Sequence, residues 1–182
     1  LPARVRARLE AARVDIEQQH RLIRWEVTRL RRALVPVGVP VVLLKGAAYL
    51  FAELPTARGR HCNDVDSRVP AERIAAAEAA LVADGWAVVE LSAYDERYYR
   101  EWSHELPPMA HRDRHIVVDV HHNILPPTGR LRPDPRLLLA AARPVAHPAL
   151  RGLAPVDMVL HAACHLVQSG EGEPDLLYID LH

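Results

Sequence analysis

Val41-Val42-Leu43-Leu44-Lys45-Gly46, followed eighteen residues after its glycine by Asp64-Val65-Asp66, decides how this chain folds. Residues 39–44 are apolar, few in number and introduced by Pro36, Gly38 and Pro40, the pattern of a buried strand. Gly46 then opens a short helix through about Leu54. Residues 55–63 form a loop carrying Arg58, Gly59, Arg60 and His61, and a second strand runs over residues 64–69. Pro70 suits the first turn of a helix, residues 71–83 are strong helix formers closed by Asp84-Gly85, and residues 86–91 return as a strand. The succession is β-α-β-α-β.

Ahead of it, residues 3–34 read as one long helix, with Val5, Leu9, Ala12, Ile16, Leu22, Ile23, Val27 and Leu30 near a 3.6 period. Its basic outer face reads as solvated, with Glu10, Asp15, Glu17 and Glu26 as partners within the helix rather than a nucleic-acid surface. Between residues 101 and 109 a further strand ending at Pro107-Pro108 is one reading. Residues 115–121 are rich in β-branched side chains and predict another strand. After Asn123, Pro126, Pro127, Pro133 and Pro135 punctuate loops leading into helices near residues 136–142 and 155–168, and a last amphipathic piece spans residues 175–181. The expected fold class is α/β (α+β), a small mixed sheet flanked by helices with helical additions at both ends. The corresponding division is a helical segment at 1–35, an α/β core at 36–124 and a helical region at 125–182. Leu1 is not Met and His182 falls inside a helical pattern, so both ends are expected to be trimmed.

A length of 182 residues fits one domain with appendages and is ample for a core. Positive and negative side chains balance at 23 each, so no global field draws the protein onto nucleic acid or an anionic membrane, and any polyanion binding must be local. Cys62 and Cys164 lie far apart and form neither a zinc-finger nor a redox spacing, which reads as free thiols in a reducing compartment. No stretch approaches the roughly 18 apolar residues of a membrane helix, and the start lacks a signal-peptide core. The expectation is a soluble, cytoplasmic protein.

Lys45 is the only lysine against twenty-two arginines. An ammonium is a compact charge on a flexible stem where guanidinium is a planar fork, so a lysine retained in an arginine-rich chain marks a place that distinguishes the two. Asp64 and Asp66, two apart on a strand, project to one side with Val65 facing the core. Two carboxylates that close repel unless a cation lies between them, and hard oxygen ligands suit Mg²⁺ or Mn²⁺. Asp119, on another apolar strand, could complete a two-metal site that clamps the attacking and leaving oxygens of a phosphoryl or nucleotidyl transfer. Gly46 at a helix start would let a phosphate approach backbone N–H groups, with Lys45 beside it, and Arg58 and Arg60, in the loop just before the Asp64–Asp66 strand, could hold the polyphosphate bidentately. By strand parity His121 accompanies Asp119 and could touch phosphate or the acceptor hydroxyl.

These residues resemble a known group. Leu43-Leu44-Lys45-Gly46, Arg60 with Asn63-Asp64-Val65-Asp66, Gly85-Trp86, His104-Glu105-Leu106-Pro107, Val118-Asp119-Val120-His121-His122, and Leu153-Ala154-Pro155 with Leu160-His161-Ala162-Ala163-Cys164-His165 are similar to the uncharacterised nucleotidyltransferase family of the polymerase-β-like superfamily. The resemblance runs from about residue 36 to the end. It implies a sheet of nucleotidyltransferase type in which Asp64, Asp66 and Asp119 bind two Mg²⁺ ions. The helix after the first strand would face a nucleoside triphosphate, with ATP the expected one. It further implies bacterial enzymes that move a nucleoside monophosphate onto an acceptor hydroxyl with release of pyrophosphate, the acceptor being unknown.

Two departures stand against that pattern. The superfamily's Gly-Ser after the first strand is Gly46-Ala47 here, and Ser67-Arg68 follows the aspartates where apolar residues are expected. Arg68 shares the parity of Asp64 and Asp66, so it is expected to reach Asp66 and compete with metal. That motivates an alternative: a catalytically degenerate module that binds a nucleotide or a partner on the same fold. A third reading places zinc on His161 and His165, four apart on a helix, although no glutamate accompanies them as in a metalloprotease. His104, beside Glu105, is a lesser candidate.

Overall fold

The computed structural model describes residues 1–168, so the piece expected at residues 175–181 lies outside the described residues. Its centre is β1 (Val41–Leu43), paired antiparallel with β2 (Asp64–Arg68), which in turn runs parallel to β5 (Val117–His121). β4 (Met109–His111) and β3 (Trp86–Val88) extend that side, while β7 (His147–Gly152), parallel to β1, and β6 (Arg143–Val145) extend the other. The result is a mixed seven-stranded open sheet of order β3-β4-β5-β2-β1-β7-β6, flanked by helices as the sequence predicts.

Helix α1 (Ala3–Leu34) is exposed over its first half, then buries Ile23, Val27, Leu30 and Leu34, spaced four, three and four apart, against the sheet. Glu26 lies within that buried stripe and is fully covered, and it is matched by Arg114, whose guanidinium makes two hydrogen bonds to it at 2.8 and 3.1 Å. Arg114 also stacks over the rings of Trp86 and Trp25, 4.5 and 5.2 Å from their centroids. A short 3₁₀ turn (Val35–Val37) and Gly38, with a left-handed φ of 70°, end the helix and turn the chain into β1. α2 (Lys45–Phe51) and α3 (Ile74–Ala83) share this face of the sheet.

The two faces of the sheet differ in chemistry. Val41, Leu43, Val65, Val69, Val118 and Val120 join the main core beneath α1, α2 and α3. Val42 and Leu44 point the other way, into a smaller cluster with Ile124, Leu153 and Leu138 of α5 (Pro135–Ala141). Because residues paired in register face one side, Asp66, Arg68, Asp119 and His121 all project to this second face. Charged groups therefore collect on the face with the smaller apolar cover.

Two segments carry elements that the sequence expectation left unassigned, and a third lacks the strand it suggested. Residues 93–101 form helix α4 (Ala93–Glu101), capped by Ser92, whose hydroxyl accepts from the Asp95 backbone N–H at 3.1 Å. Between α4 and β4 only Glu105 forms a β-bridge, to His121, so no further strand occupies residues 101–109. Residues 143–152 form the β6–β7 hairpin, ahead of α6 (Pro155–Gln168). No helix among the described residues is long and apolar enough to cross a membrane.

Candidate active site

The passage from β1 into α2 fixes the first side chain of the site. The Leu44 backbone N–H bonds to the Asp66 carbonyl at 3.0 Å, and Lys45 adopts a left-handed φ of 44°, a conformation that disfavours residues with a Cβ. Gly46 follows because nothing larger fits: a Cβ there would stand 2.7 Å from the Cys62 sulfur. The loop carrying Cys62 is held by α1. Gln19 accepts from the Cys62 backbone N–H and donates to the Asn63 side chain, each at 3.0 Å, and His20 Nε2 lies 2.8 Å from the Arg60 carbonyl.

The Lys45 ammonium reaches across to β2 and pairs with Asp66 Oδ1 at 2.8 Å. His121 Nε2 hydrogen-bonds the same oxygen at 3.0 Å from the neighbouring strand, and its Nδ1 lies 3.0 Å from Glu105 Oε2. Asp119 is the register partner of Asp66 on the parallel strand, so their side chains stand side by side, about 5 Å apart at the backbone. Asp64 shares their face from the start of β2.

The charges do not balance. Burial alone would raise the Asp66 carboxyl, but Lys45 and His121 outweigh it and hold the group well below the usual range. Asp64 has no such direct partner among the described residues, and burial followed by the Asp66 charge pushes it up. Asp119 is pushed up to about 7, chiefly by burial and then by Asp66, with His121 only partly offsetting them. Its Oδ1 is buried and has no hydrogen-bond partner among the described residues. Burial works to lower the Lys45 ammonium, yet Asp66, Asp64 and Glu105 together leave it above its ordinary value. Among the described residues the cluster holds more negative charge than its cations neutralise, and the surplus sits on Asp119 and Asp64.

An all-carboxylate donor set with an unpartnered buried oxygen fits a hard divalent cation of the Mg²⁺ type. Among the described residues the three aspartates do not bring their ligand oxygens within 4.8 Å of one another; the group that does is His104, Glu105 and His121. These three also line, with Lys45, Tyr99 and His161, a cavity of about 210 Å³.

The remaining expected residues scatter. Arg60 lies at the mouth of α2, its guanidinium 5.7 Å from the Tyr49 ring and its Nε 3.6 Å from where a Gly46 Cβ would be. Arg58 is exposed on the loop. Arg68 does not reach Asp66. It is buried and donates to the Pro135 carbonyl at the start of α5, so the cation beside Asp66 is Lys45 and the expected competition from Arg68 is absent. Ala47, where the departure from Gly-Ser occurs, is packed into the main core. His161 is buried on α6, and burial, then Lys45 and His121, push its imidazole down to about 3. Glu105, which the sequence marks only as the neighbour of His104, joins the cluster through His121. Its signal was the His104-Glu105 pair, which gains meaning only once the bridge to His121 is known.

Searches of curated proteins and of solved structures find no match. A family model described as uncharacterised nucleotidyltransferase does match, over residues 1–179. That span takes in α1, ahead of the motifs that carry the resemblance, and agrees with the way α1 pins the loop before β2. The chain belongs to this uncharacterised nucleotidyltransferase family.

Proposed function

We propose that the protein transfers a nucleoside monophosphate from a nucleoside triphosphate, ATP foremost, to an acceptor hydroxyl in a Mg²⁺- or Mn²⁺-dependent reaction that releases pyrophosphate. The observation that carries this reading is the pairing of Asp66 with Asp119 in register beside Asp64, with Asp119 Oδ1 buried and unpartnered. Asp64, Asp66 and Asp119 would hold the divalent ions. Bound there, such ions neutralise the phosphates and polarise the reacting oxygens. The acceptor oxygen bonds to the α-phosphorus as the bond to the pyrophosphate oxygen breaks, and the acceptor proton passes to Asp119 or to water beside it.

The other side chains divide the work of positioning. Lys45 releases Asp66 and turns its ammonium to the phosphates, a movement its flexible stem allows. Arg60 contributes a forked donor on the other side of Gly46, whose missing Cβ leaves the approach open. Arg58, exposed on the same loop, reaches the distal phosphates. His121, buried between Asp66 and Glu105, orients Asp66. The Lys45–Asp66 ion pair also favours a second reading, a degenerate module in which the ammonium permanently takes the place of a cation. Calorimetric titration of ATP with and without Mg²⁺, followed by a pyrophosphate-release screen over hydroxyl acceptors, separates the two. Transfer predicts Mg²⁺-dependent binding that Asp64→Asn abolishes. Binding indifferent to Mg²⁺ and to that substitution would support the degenerate module.

A further inference from the structure

We propose that His104, Glu105 and His121 form a second metal site, selective for a transition-metal dication of the zinc type and separate from the all-oxygen aspartate cluster. Their ligand atoms all lie within 4.8 Å of one another. The 3.0 Å between His121 Nδ1 and Glu105 Oε2 would have to open by only a few tenths of an ångström to reach the about 3.3–3.4 Å between adjacent ligands of a tetrahedral metal with bonds of about 2.0–2.1 Å. Nδ1 of His121, on a residue only 2% exposed, faces the Glu105 carboxylate without an aligned hydrogen bond, and among the described residues Nδ1 of His104 is buried with no hydrogen-bond partner. A buried imidazole–carboxylate pair lacking an aligned hydrogen bond, with a second imidazole in the same cluster, is what a metal would complete.

The backbone holds the three ligands in place. The Leu106 N–H bonds to the Val120 carbonyl at 2.9 Å, the His122 N–H to the His104 carbonyl at 2.8 Å, and Glu105 bridges to His121, so the 104–106 segment is laced to β5. The outer side of His121 is equally defined, because its Nε2 faces Asp66 Oδ1 at 3.0 Å. With Nε2–H donating to Asp66, the lone pair on Nδ1 is left for the metal, the carboxylate–histidine–metal arrangement by which a neighbouring acid sets a ligand's tautomer. Two imidazoles and one carboxylate prefer zinc-like ions to Mg²⁺, and the adjoining cavity of about 210 Å³ leaves room for water as a further ligand. Such an ion would lock His121 against Asp66, and its binding does not depend on the transfer reaction.

The test uses the full chain stripped of metal and held in excess Mg²⁺, titrated with Co²⁺ by its visible absorption and with Zn²⁺ by calorimetry. One equivalent should bind, at least tenfold more weakly in His104→Ala and in Glu105→Gln and within about twofold of wild type in Asp119→Asn. Glu105→Gln preserves shape should His104→Ala fail to fold. Long-range ¹H–¹⁵N spectra of the unaltered protein should show Zn²⁺ shifting His121 Nδ1 while Nε2 stays protonated. Absence of binding, binding indifferent to both substitutions as on surface histidines, or binding lost in Asp119→Asn alone would each overturn the site.

Discussion

Asp119→Asn should make the protein more stable when divalent metal is withheld. Moving a carboxyl from its ordinary 3.8 to about 7 corresponds to roughly 4 kcal/mol at about 1.4 kcal/mol per pKa unit, all of it unfavourable to the ionised folded state. Side-chain relaxation and water entry reduce this, and about 1–3 kcal/mol is the expected gain on replacing the charge by an amide. For a chain of this length that is a rise in Tm of about 3–10 °C. The sign with pH follows from the direction of the shift. A raised folded-state pKa favours folding fully below the ordinary value, and this contribution is lost as pH rises from about 4 to about 7. The gain in Asp119→Asn should therefore be full at pH 8 and disappear near pH 4. Added Mg²⁺ should raise the Tm of wild type and leave that of the variant nearly unchanged. Thermal melts followed by circular dichroism, in chelator and in Mg²⁺ across that range, make the measurement. A variant less stable than wild type at pH 8 in chelator would refute the claim of surplus negative charge at this position.

Lys45→Arg should weaken ATP binding at least tenfold in calorimetry with little loss of Tm, because a guanidinium cannot take the compact place 2.8 Å from Asp66 Oδ1 and then turn to phosphate. Gly46→Ala should cost about 1–3 kcal/mol in denaturant melts, since the new methyl meets the Cys62 sulfur at 2.7 Å, and Cys62→Ala in the same chain should recover most of it. Glu26→Ala leaves the Arg114 guanidinium, 10% exposed, without its carboxylate and should destabilise by about 3–5 kcal/mol while the Mg²⁺ affinity of the folded protein is unchanged.

The part of the fold that builds the site was legible because it is local. The apolar run before Lys45, the helix opened by Gly46 and the parity of Asp64 and Asp66 each need only a few neighbouring residues, and the β-branched texture of residues 115–121 announced the strand bearing Asp119. What escaped depends on distant partners or on conflicting local signals. The β6–β7 hairpin contains Pro144 and Pro148, which read as loop, and β7 is recruited by parallel pairing with β1 about a hundred residues earlier. α4 carries Tyr98, Tyr99 and alternating charges that show no apolar stripe, and is supported instead by pairs such as Arg97–Glu101. Parity placed Arg68 on the face of Asp66 but could not show that the Pro135 carbonyl, 67 residues on, draws its guanidinium away. Lys45, expected on phosphate, is found on Asp66, a contact from the first residue of α2 to β2 that the antiparallel β1–β2 pairing brings within reach.

The most direct measurement is a crystal structure with Mn²⁺ and a nonhydrolysable ATP analogue, using anomalous scattering to place the metal. Mn²⁺ should be held by Asp64, Asp66 and Asp119, with Lys45 moved from Asp66 to the phosphates and the triphosphate running past Gly46 toward Arg60. Manganese bound elsewhere, or a nucleotide seated away from the aspartates with the Lys45–Asp66 pair intact, would contradict this arrangement.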